Sequence, residues 1–118
     1  MPATLAEAAA LAADLSGVTE GSSYANRAWS VGKQHFMWER PFSKADIKRF
    51  GDETPPSGPI IAVRVEDLGE KEAVLAAGHK GVFTIPHFEG YAAVLIQLDT
   101  VTKRVLRELI LDAWRSVQ

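Results

Sequence analysis

Residues 91–98 are the segment that most limits how this chain can fold. The segment reads YAAVLIQL, so apolar side chains occupy nearly every position. In an extended strand, alternate side chains point to opposite faces of the sheet, and both faces of this strand are therefore largely apolar. A strand of this kind belongs inside a sheet rather than at its edge. The segment predicts a central strand.

Capping boxes open two predicted helices. In the first, the Thr4 hydroxyl and the Glu7 carboxylate each satisfy an amide that the helix leaves unpaired, and Ser43 and Asp46 do the same in the second. The other predicted elements are a strand over 60–65, a helix over 68–77, a strand over 81–85 and a C-terminal helix of about four turns. This order predicts an α+β fold, a two-layer sandwich with a mainly antiparallel sheet and its helices on one face.

A β-hairpin is predicted over residues 27–40, with Gly32 and Lys33 as a two-residue turn. If the strands pair evenly from that turn, Trp29 lies opposite Phe36, and Arg27 lies opposite Trp38. The register predicts a core-facing side made of Trp29, Val31, Phe36 and Trp38, and a mixed side made of Ser30, His35 and Met37.

Composition limits the class and compartment of the protein. With 118 residues, 47% of them hydrophobic, the chain is predicted to form one domain over residues 1–118 that buries about two-thirds of its unfolded surface. The absence of cysteine excludes disulfides and thiolate chemistry and favours the reducing cytoplasm. Neither a signal peptide nor a membrane span is predicted, because residues 5–15 lack a basic leader and no segment is long enough. A monomer or weak dimer is expected.

A basic segment stands out in an acidic chain. Residues 27–49 have a net charge of +4, whereas the whole chain has −2. The candidate phosphate contacts are Lys33, Arg40 and Lys44, with Lys48 and Arg49 as supporting charge. The last two also fit the final turn of a helix, where cations stabilise the dipole, and Arg27 fits a cation–π pair with Trp38. The first three have no such structural explanation, so they favour DNA binding directed at phosphates.

Catalytic and metal-binding motifs are not found. The histidines, His35, His79 and His87, lie far apart in the sequence. His87 and Glu89 could supply two metal ligands, but metal sites use three or four, and the alternative is a structural turn over 86–90 with His87 hydrogen-bonded to backbone. No nucleophile motif or phosphate loop occurs. A non-enzymatic protein with no cofactor and no metal is predicted.

Four segments resemble the MmcQ/YjbR family: LSGVTEG at 15–21, VGK at 31–33, FTIPHFEGY at 83–91 and LRELILDAWR at 106–115. The resemblance spans about residue 5 to the end of the sequence. It implies a small two-layer domain of the frataxin-like (CyaY-like) kind, and it implies DNA binding as the function. It implies no particular contact residues.

Two other functions remain open at this point. A small protein- or ligand-interaction module, with no role in nucleic-acid binding, predicts a concave apolar pocket or a self-complementary face near Tyr91 and the turn over 86–90. An enzyme predicts that His87 converges on acidic side chains.

Overall fold

The computed structural model describes residues 3–23 and 25–118, and within these ranges the chain forms four α-helices, six strands and one 3-10 helix. In chain order the elements are α1 (Leu5–Ala13), β1 (Val18–Ser23), β2 (Asn26–Val31), β3 (Gln34–Glu39), α2 (Lys44–Arg49), β4 (Ile60–Arg64), α3 (Leu68–Ala76), β5 (Val82–Phe83), the 3-10 helix (Pro86–Phe88), β6 (Ala93–Gln97) and α4 (Lys103–Arg115). No helix in the described ranges is both long and apolar enough to cross a membrane. The predicted α+β class is confirmed.

All six strands of the described chain form one antiparallel sheet in the order β1-β2-β3-β4-β6-β5. Strand β6 pairs with β4 on one side and with β5 on the other, which confirms the central strand predicted from residues 91–98. Strand β1 is missing from the sequence prediction. Its sequence, VTEGSS, has no apolar alternation, so an edge strand with polar faces leaves no hydrophobic signal.

The hairpin turn forms where it was predicted. Gly32 has a φ of +60°, a left-handed value that glycine adopts without steric cost. The two cross-strand pairs next to the turn follow the predicted register. The turn therefore sets the pairing only for its immediate neighbours.

Beyond those pairs, a β-bulge between Trp29 and Ser30 shifts the register by one residue. Trp29 pairs with Met37 instead of Phe36, so the predicted pairing is wrong here. A shift of one residue exchanges the faces of a strand. Met37 is therefore fully buried in the same cluster as Trp29, whereas Trp38 lies in the cluster on the other face of the sheet.

One face of the sheet carries the larger hydrophobic core, beneath α1 and α4. The wide apolar stripe predicted for the C-terminal helix is confirmed, and its buried residues are Val105, Leu106, Leu109, Ile110 and Ala113. The strands supply the opposing side chains, which include Trp29, Phe36, Met37, Ile61, Val63, Val94 and Ile96. The first face is thus the predicted helix-on-sheet layer.

The second face has a smaller core with a thinner cover. Its buried residues are Ile60, Ala62, Ile85, Phe88, Ala93 and Leu95. Four aromatic residues pack against them but stay partly exposed: Trp38, Phe42, Phe50 and Phe83. Since Phe42 and Phe50 flank α2, and Phe88 ends the 3-10 helix, these two short elements lie against this face.

The predicted capping boxes hold the short helices in place. At α2 the box is complete: the Ser43 hydroxyl accepts from the Asp46 amide, and the Asp46 carboxylate accepts from the Ser43 amide. At α1 the Thr4 hydroxyl accepts from the Glu7 amide at 3.1 Å and donates to Glu7 Oε1 at 3.5 Å, whereas no bond from the Thr4 amide to the Glu7 carboxylate is found among the described residues. The prediction is confirmed in full at Ser43 and in part at Thr4.

Candidate ligand-binding groove

An open groove of about 800 Å³ lies on the second face of the sheet. Its lining residues come from β2, β3, the segment that leads to α2, and the segment around the 3-10 helix: Asn26, His35, Trp38, Glu39, Arg40, Pro41, Phe42, Ser43, His87, Phe88 and Tyr91. Small-molecule sites in proteins typically have volumes of about 300 to 1,000 Å³. The groove has a suitable size, and it borders the turn at which the interaction alternative predicts a pocket.

Three aromatic rings form one wall of the groove. The ring centroid of Trp38 lies 6.5 Å from that of Phe88 and 6.2 Å from that of Tyr91, and the Phe88 and Tyr91 centroids are 5.6 Å apart. Phe88 is 3% exposed and Tyr91 is 44% exposed, so Phe88 forms the base of the wall and Tyr91 faces solvent. Such a cluster offers ring faces and edges against which a flat ligand can pack.

Arg40 joins the groove to helix α2. Its Nη1 lies 2.9 Å from Asp46 Oδ2 and donates to the Pro41 carbonyl oxygen at 2.7 Å. Its guanidinium carbon lies 5.6 Å from the centroid of the Phe88 ring. The Arg40 side chain is 18% exposed and the Asp46 side chain 2% exposed, so water screens the pair only weakly. The expectation that the fold gives Arg40 no structural role is therefore corrected.

Asp46 is buried but favours its ionised form. Burial raises the pKa of Asp46, but hydrogen bonds from Ser43 and the Arg40 guanidinium outweigh this effect and hold the pKa below its ordinary value. The Ser43 amide donates to Asp46 Oδ2 at 2.9 Å, and the Asp46 amide donates to Ser43 Oγ at 3.1 Å. One carboxylate thus serves both the helix cap and the ion pair.

Lys71 of helix α3 holds the turn that carries the aromatic wall. Its Nζ donates to the carbonyl oxygen of Phe88 at 2.6 Å and to that of Tyr91 at 2.7 Å. Lys71 is only 7% exposed, and burial lowers its pKa, although the negative charge of Glu89 opposes the shift. The position of the wall therefore depends on a buried amine.

Relatives of this chain are known from mycobacteria. Proteins described as uncharacterized, from Mycobacterium bovis and from two strains of Mycobacterium tuberculosis, are 48% identical to it over 89 residues, which cover 73% of this chain and 68% of each relative. The chain belongs to their family. No protein-family model matches it, and no solved structure matches it. The relatives' descriptions name no activity or ligand.

In this family member, the predicted phosphate contacts fall into two separate places. Lys44, Lys48 and Arg49 are exposed on α2, next to Ser43 at the groove, and no ion pair involves them in the described residues. Lys33 is exposed at the hairpin turn, at the other end of β3. At about 3.4 Å per residue, the length of β3 separates it from the segment leading to α2 by about 20 Å. The structure brings the α2 cations together and leaves Lys33 apart.

Arg27 does not pair with Trp38, so this prediction is wrong. The bulge moves Trp38 away, and the Arg27 guanidinium carbon lies 5.0 Å from the centroid of the Trp29 ring instead. Arg27 Nε and Nη2 donate to the two carboxylate oxygens of Glu20 at 2.8 Å and 3.0 Å. Its backbone amide donates to Glu39 Oε1 at 2.6 Å. Arg27 thus ties β1 and β3 to β2 and does not line the groove.

Two histidines that are distant in the sequence, His35 and His87, both line the groove and are exposed. The His87 ring contacts the Phe88 ring at 6.1 Å between centroids, and the predicted hydrogen bond from His87 to backbone is not observed among the described residues. No group of three or more His, Asp or Glu side chains in the described chain could hold a metal ion. Both histidines therefore present exposed imidazole rings at the groove.

Two residues that shape the groove escape sequence reasoning. Even pairing from the turn predicts Trp38 in the core, and no short sequence pattern marks the bulge that places it at the groove. Lys71 stands between Leu68 and Leu75 at spacings of three and four residues, where an amphipathic helix usually carries an apolar side chain. A charged residue within that stripe is the signal that could have identified it.

Proposed function

We propose that this protein is a small ligand-binding module whose groove takes a molecule with a flat aromatic ring. The open aromatic wall of Trp38, Phe88 and Tyr91 is the observation that carries the proposal. Aromatic pairs gain from stacked and edge-to-face contacts beyond the area that they bury. A ring inserted beside Tyr91 would cover apolar surface that the fold leaves in water.

Ring packing, rather than ion pairing, is the expected source of affinity. The charge of Arg40 is already neutralised by Asp46, so the groove offers no free buried cation among its described residues. His35 and His87 line the groove, and a neutral imidazole both donates and accepts hydrogen bonds. The ligand that fits best is a neutral flat ring with polar groups at its edge.

The proposed role is non-enzymatic and cytoplasmic. The Ser43 hydroxyl, which lines the groove, accepts a hydrogen bond from the Asp46 amide at 3.1 Å and so serves as a helix cap. That role differs from that of a nucleophile, whose hydroxyl must be paired with a base. The lack of cysteine supports a reducing compartment.

Adenosine and indole serve as flat probes, and ribose serves as a probe without an aromatic ring. Each is titrated into the 15N-labelled chain while the Trp38 indole resonance and the backbone amides of residues 87–91 are followed by NMR. We expect saturable shifts with a flat probe and none with ribose. Tyr91→Ser is expected to weaken binding about tenfold, because one stacking contact contributes about 1 to 3 kcal/mol.

Ile47→Ser is the matched control for this titration. Ile47 is 50% exposed, similar to Tyr91, but it does not line the groove. The control should bind like the wild type. Equal shifts with ribose and the flat probes, or unchanged binding by Tyr91→Ser, would contradict the aromatic groove as the binding site.

We propose, as a second candidate, DNA binding through the cations of helix α2, together with membership of the MmcQ/YjbR family. The four resembling segments and the exposed charges of Lys44, Lys48 and Arg49 support it. Lys44 stands in the first turn of its helix, where a cation is unfavourable to the dipole unless it has another role. Of the other two predicted contacts, Arg40 is paired with Asp46 and Lys33 lies apart at the hairpin turn, so this candidate rests on the three α2 cations, which are directed at phosphates rather than bases.

Fluorescence anisotropy with labelled single-stranded and duplex DNA at two salt concentrations tests this candidate. Lys44→Ala/Lys48→Ala/Arg49→Ala is expected to weaken binding and to reduce the salt slope by about 2 for single-stranded DNA and about 2.7 for duplex DNA, because each phosphate contact contributes about 0.7 or 0.9. A matched triple variant on α4, Lys103→Ala/Arg104→Ala/Arg107→Ala, removes the same charge elsewhere. No binding at low salt, or an equal loss in both variants, would contradict a site on α2.

A further inference from the structure

A second cavity, of about 490 Å³, lies between helix α3 and the turn that carries the aromatic wall. Its volume is within the range of about 300 to 1,000 Å³ that is usual for small-molecule sites. The other side of the cavity from α3 includes Ile85 and Glu89. No described residue lines both this cavity and the aromatic groove, so the two are separate sites. The α3 residues that line the cavity are spaced as one face of a helix: Leu68, Lys71, Glu72 and Leu75.

The apolar lining of the cavity reaches from its base to the solvent. Ile85 is 5% exposed, Leu75 is partly buried and Leu68 is 50% exposed. Covering apolar surface is favourable in proportion to the area that is removed from water. An apolar chain placed along these three side chains therefore gains free energy, because it covers the part of Leu68 that the fold leaves in water.

The charges at the cavity are mainly negative. Glu72 and Glu89 are exposed, and no ion pair involves either of them in the described part of the chain. The Lys71 ammonium group donates to two backbone carbonyl oxygens of the turn, so its charge is held there. One cation and two carboxylates give the lining a net charge of −1. Residues 66–72 have a net charge of −3, from four carboxylates and one lysine.

We propose that this cavity binds a small organic ammonium ion with a short apolar chain. The chain lies along Leu68, Leu75 and Ile85, and the ammonium group lies at the rim near Glu72 and Glu89. Opposite charges attract, and a cleft with charge of one sign concentrates ligands of the other sign. A carboxylate with the same chain is repelled, and a neutral molecule gains the apolar contact alone. The ligand class is therefore a protonated alkylamine.

Hexylamine is the probe for this site, since an alkylamine is protonated at neutral pH. It has no flat ring, so it lacks the feature on which binding in the aromatic groove depends. It is titrated into the 15N-labelled full chain while the backbone amides of residues 68–75 and the Trp38 indole resonance are followed by NMR. We expect saturable shifts in α3 that are larger than any shift at Trp38.

Three matched probes separate the contributions of the chain and the charge. Ethylamine keeps the ammonium group but has four fewer carbon atoms, and hexylamine is expected to bind at least about tenfold more tightly than it. The compound 1-hexanol keeps the chain without a charge and should bind about threefold more weakly than hexylamine, because an exposed charge pair contributes little. Hexanoate, which reverses the charge, should bind most weakly of the six-carbon probes. Equal affinities for these six-carbon probes would overturn the proposal.

Replacement of the carboxylates tests the charged part of the site. Glu72→Gln/Glu89→Gln is expected to weaken hexylamine binding about threefold to tenfold. Glu66→Gln/Glu70→Gln is the matched control, because it removes the same charge from the same region at residues that do not line the cavity. The control should bind nearly as the wild type does. An equal loss in both variants would overturn a contact between the ammonium group and the cavity.

The apolar part of the site is tested by Leu68→Ser, which should weaken hexylamine binding about threefold. Ile47→Ser is its control, since Ile47 is also 50% exposed but does not line the cavity. No saturable shift in α3, or shifts confined to Trp38, would overturn the proposal. Because adenosine and indole report on the groove independently, either of these results would leave the proposed function of the groove unaffected.

Discussion

The two faces of the sheet are both apolar, but they are covered in different ways. On the first face, Phe36, Ile96 and Leu106 are at most 1% exposed beneath α1 and α4. On the second face, Trp38 and Phe42 are only partly buried, and the cover consists of α2 and the 3-10 helix. The first face is a closed core, whereas the second is open to solvent at the groove.

Directional polar contacts position the short elements that cover the second face, whereas apolar packing holds the helices on the first face. The Arg40–Asp46 pair fixes α2, and the hydrogen bonds of Lys71 fix the turn around Phe88. Such contacts position short elements without covering the rings between them. The larger core of the first face is therefore expected to supply most of the stability, while the second face leaves aromatic surface available for binding.

The largest expected effect separates the two faces by stability. Phe36→Ala is expected to lower the free energy of unfolding by about 4 kcal/mol, because a cavity in a closed core cannot be filled. Phe42→Ala is expected to cost about half as much, since its ring is already partly in water. Urea denaturation at neutral pH measures both changes. Equal losses would show that the two faces contribute equally to the free energy of unfolding.

The polar attachment of the second face is tested by Asp46→Asn. We expect a loss of about 2 to 3 kcal/mol in the free energy of unfolding, because Arg40 loses its buried partner and the helix cap is weakened. Asp112→Asn is the control, since its pair with Arg115 is 61% to 63% exposed and should contribute little. Similar behaviour of the two variants would argue against a structural role for the buried pair.

The same pair predicts sensitivity to acid. The pKa of Asp46 in the folded protein is lowered, so the unfolded chain binds the proton more readily, at about pH 3.9. The stabilisation is therefore complete above that value and is lost as the pH falls through the lower folded pKa. The difference between wild type and Asp46→Asn, followed by urea denaturation from neutral to acidic pH, should shrink in that window. A difference that stays constant would exclude the carboxylate charge as its cause.

Tyr91→Ser should separate binding from stability. The side chain is 44% exposed but its ring contacts those of Trp38 and Phe88, so the free energy of unfolding is expected to fall by about 1 kcal/mol, less than for Phe42→Ala. Binding of adenosine or indole should nevertheless weaken about tenfold. Thermal denaturation checks the first expectation and the NMR titration checks the second. A large loss of stability would assign Tyr91 to the core of the second face rather than to a binding surface.

The smallest effect is expected at the edge of the sheet, away from both cores. Glu20→Gln removes the ion pair with Arg27. The Arg27 side chain is 42% exposed and the Glu20 side chain 44% exposed. Water screens this pair on all sides, so no change in the urea midpoint should be resolved. A clear change would show that the β1 edge contributes to stability through more than exposed charge.

Much of the fold follows from local sequence patterns, because the elements that these patterns predict also form in the folded chain. The Ser43–Asp46 cap, the turn at Gly32 and the stripe of α4 each depend on residues close together in sequence. The interaction alternative also predicts a pocket near Tyr91, where the groove lies. The MmcQ/YjbR resemblance and DNA binding remain predictions, since the relatives' descriptions and the fold leave both untested.

The α+β class, the central strand and the cap at Ser43 are predicted from the amino-acid pattern alone, because hydrophobic periodicity and capping act over a few residues. The folded chain is needed to show that Trp38 faces the groove, that Arg40 pairs with Asp46 and that Lys71 is buried against the turn. Each of these depends on partners that are distant in the chain or on a bulge without a local signal. Packing therefore decides whether each aromatic or basic side chain after Gly32 lies in a core, at the groove or in solvent.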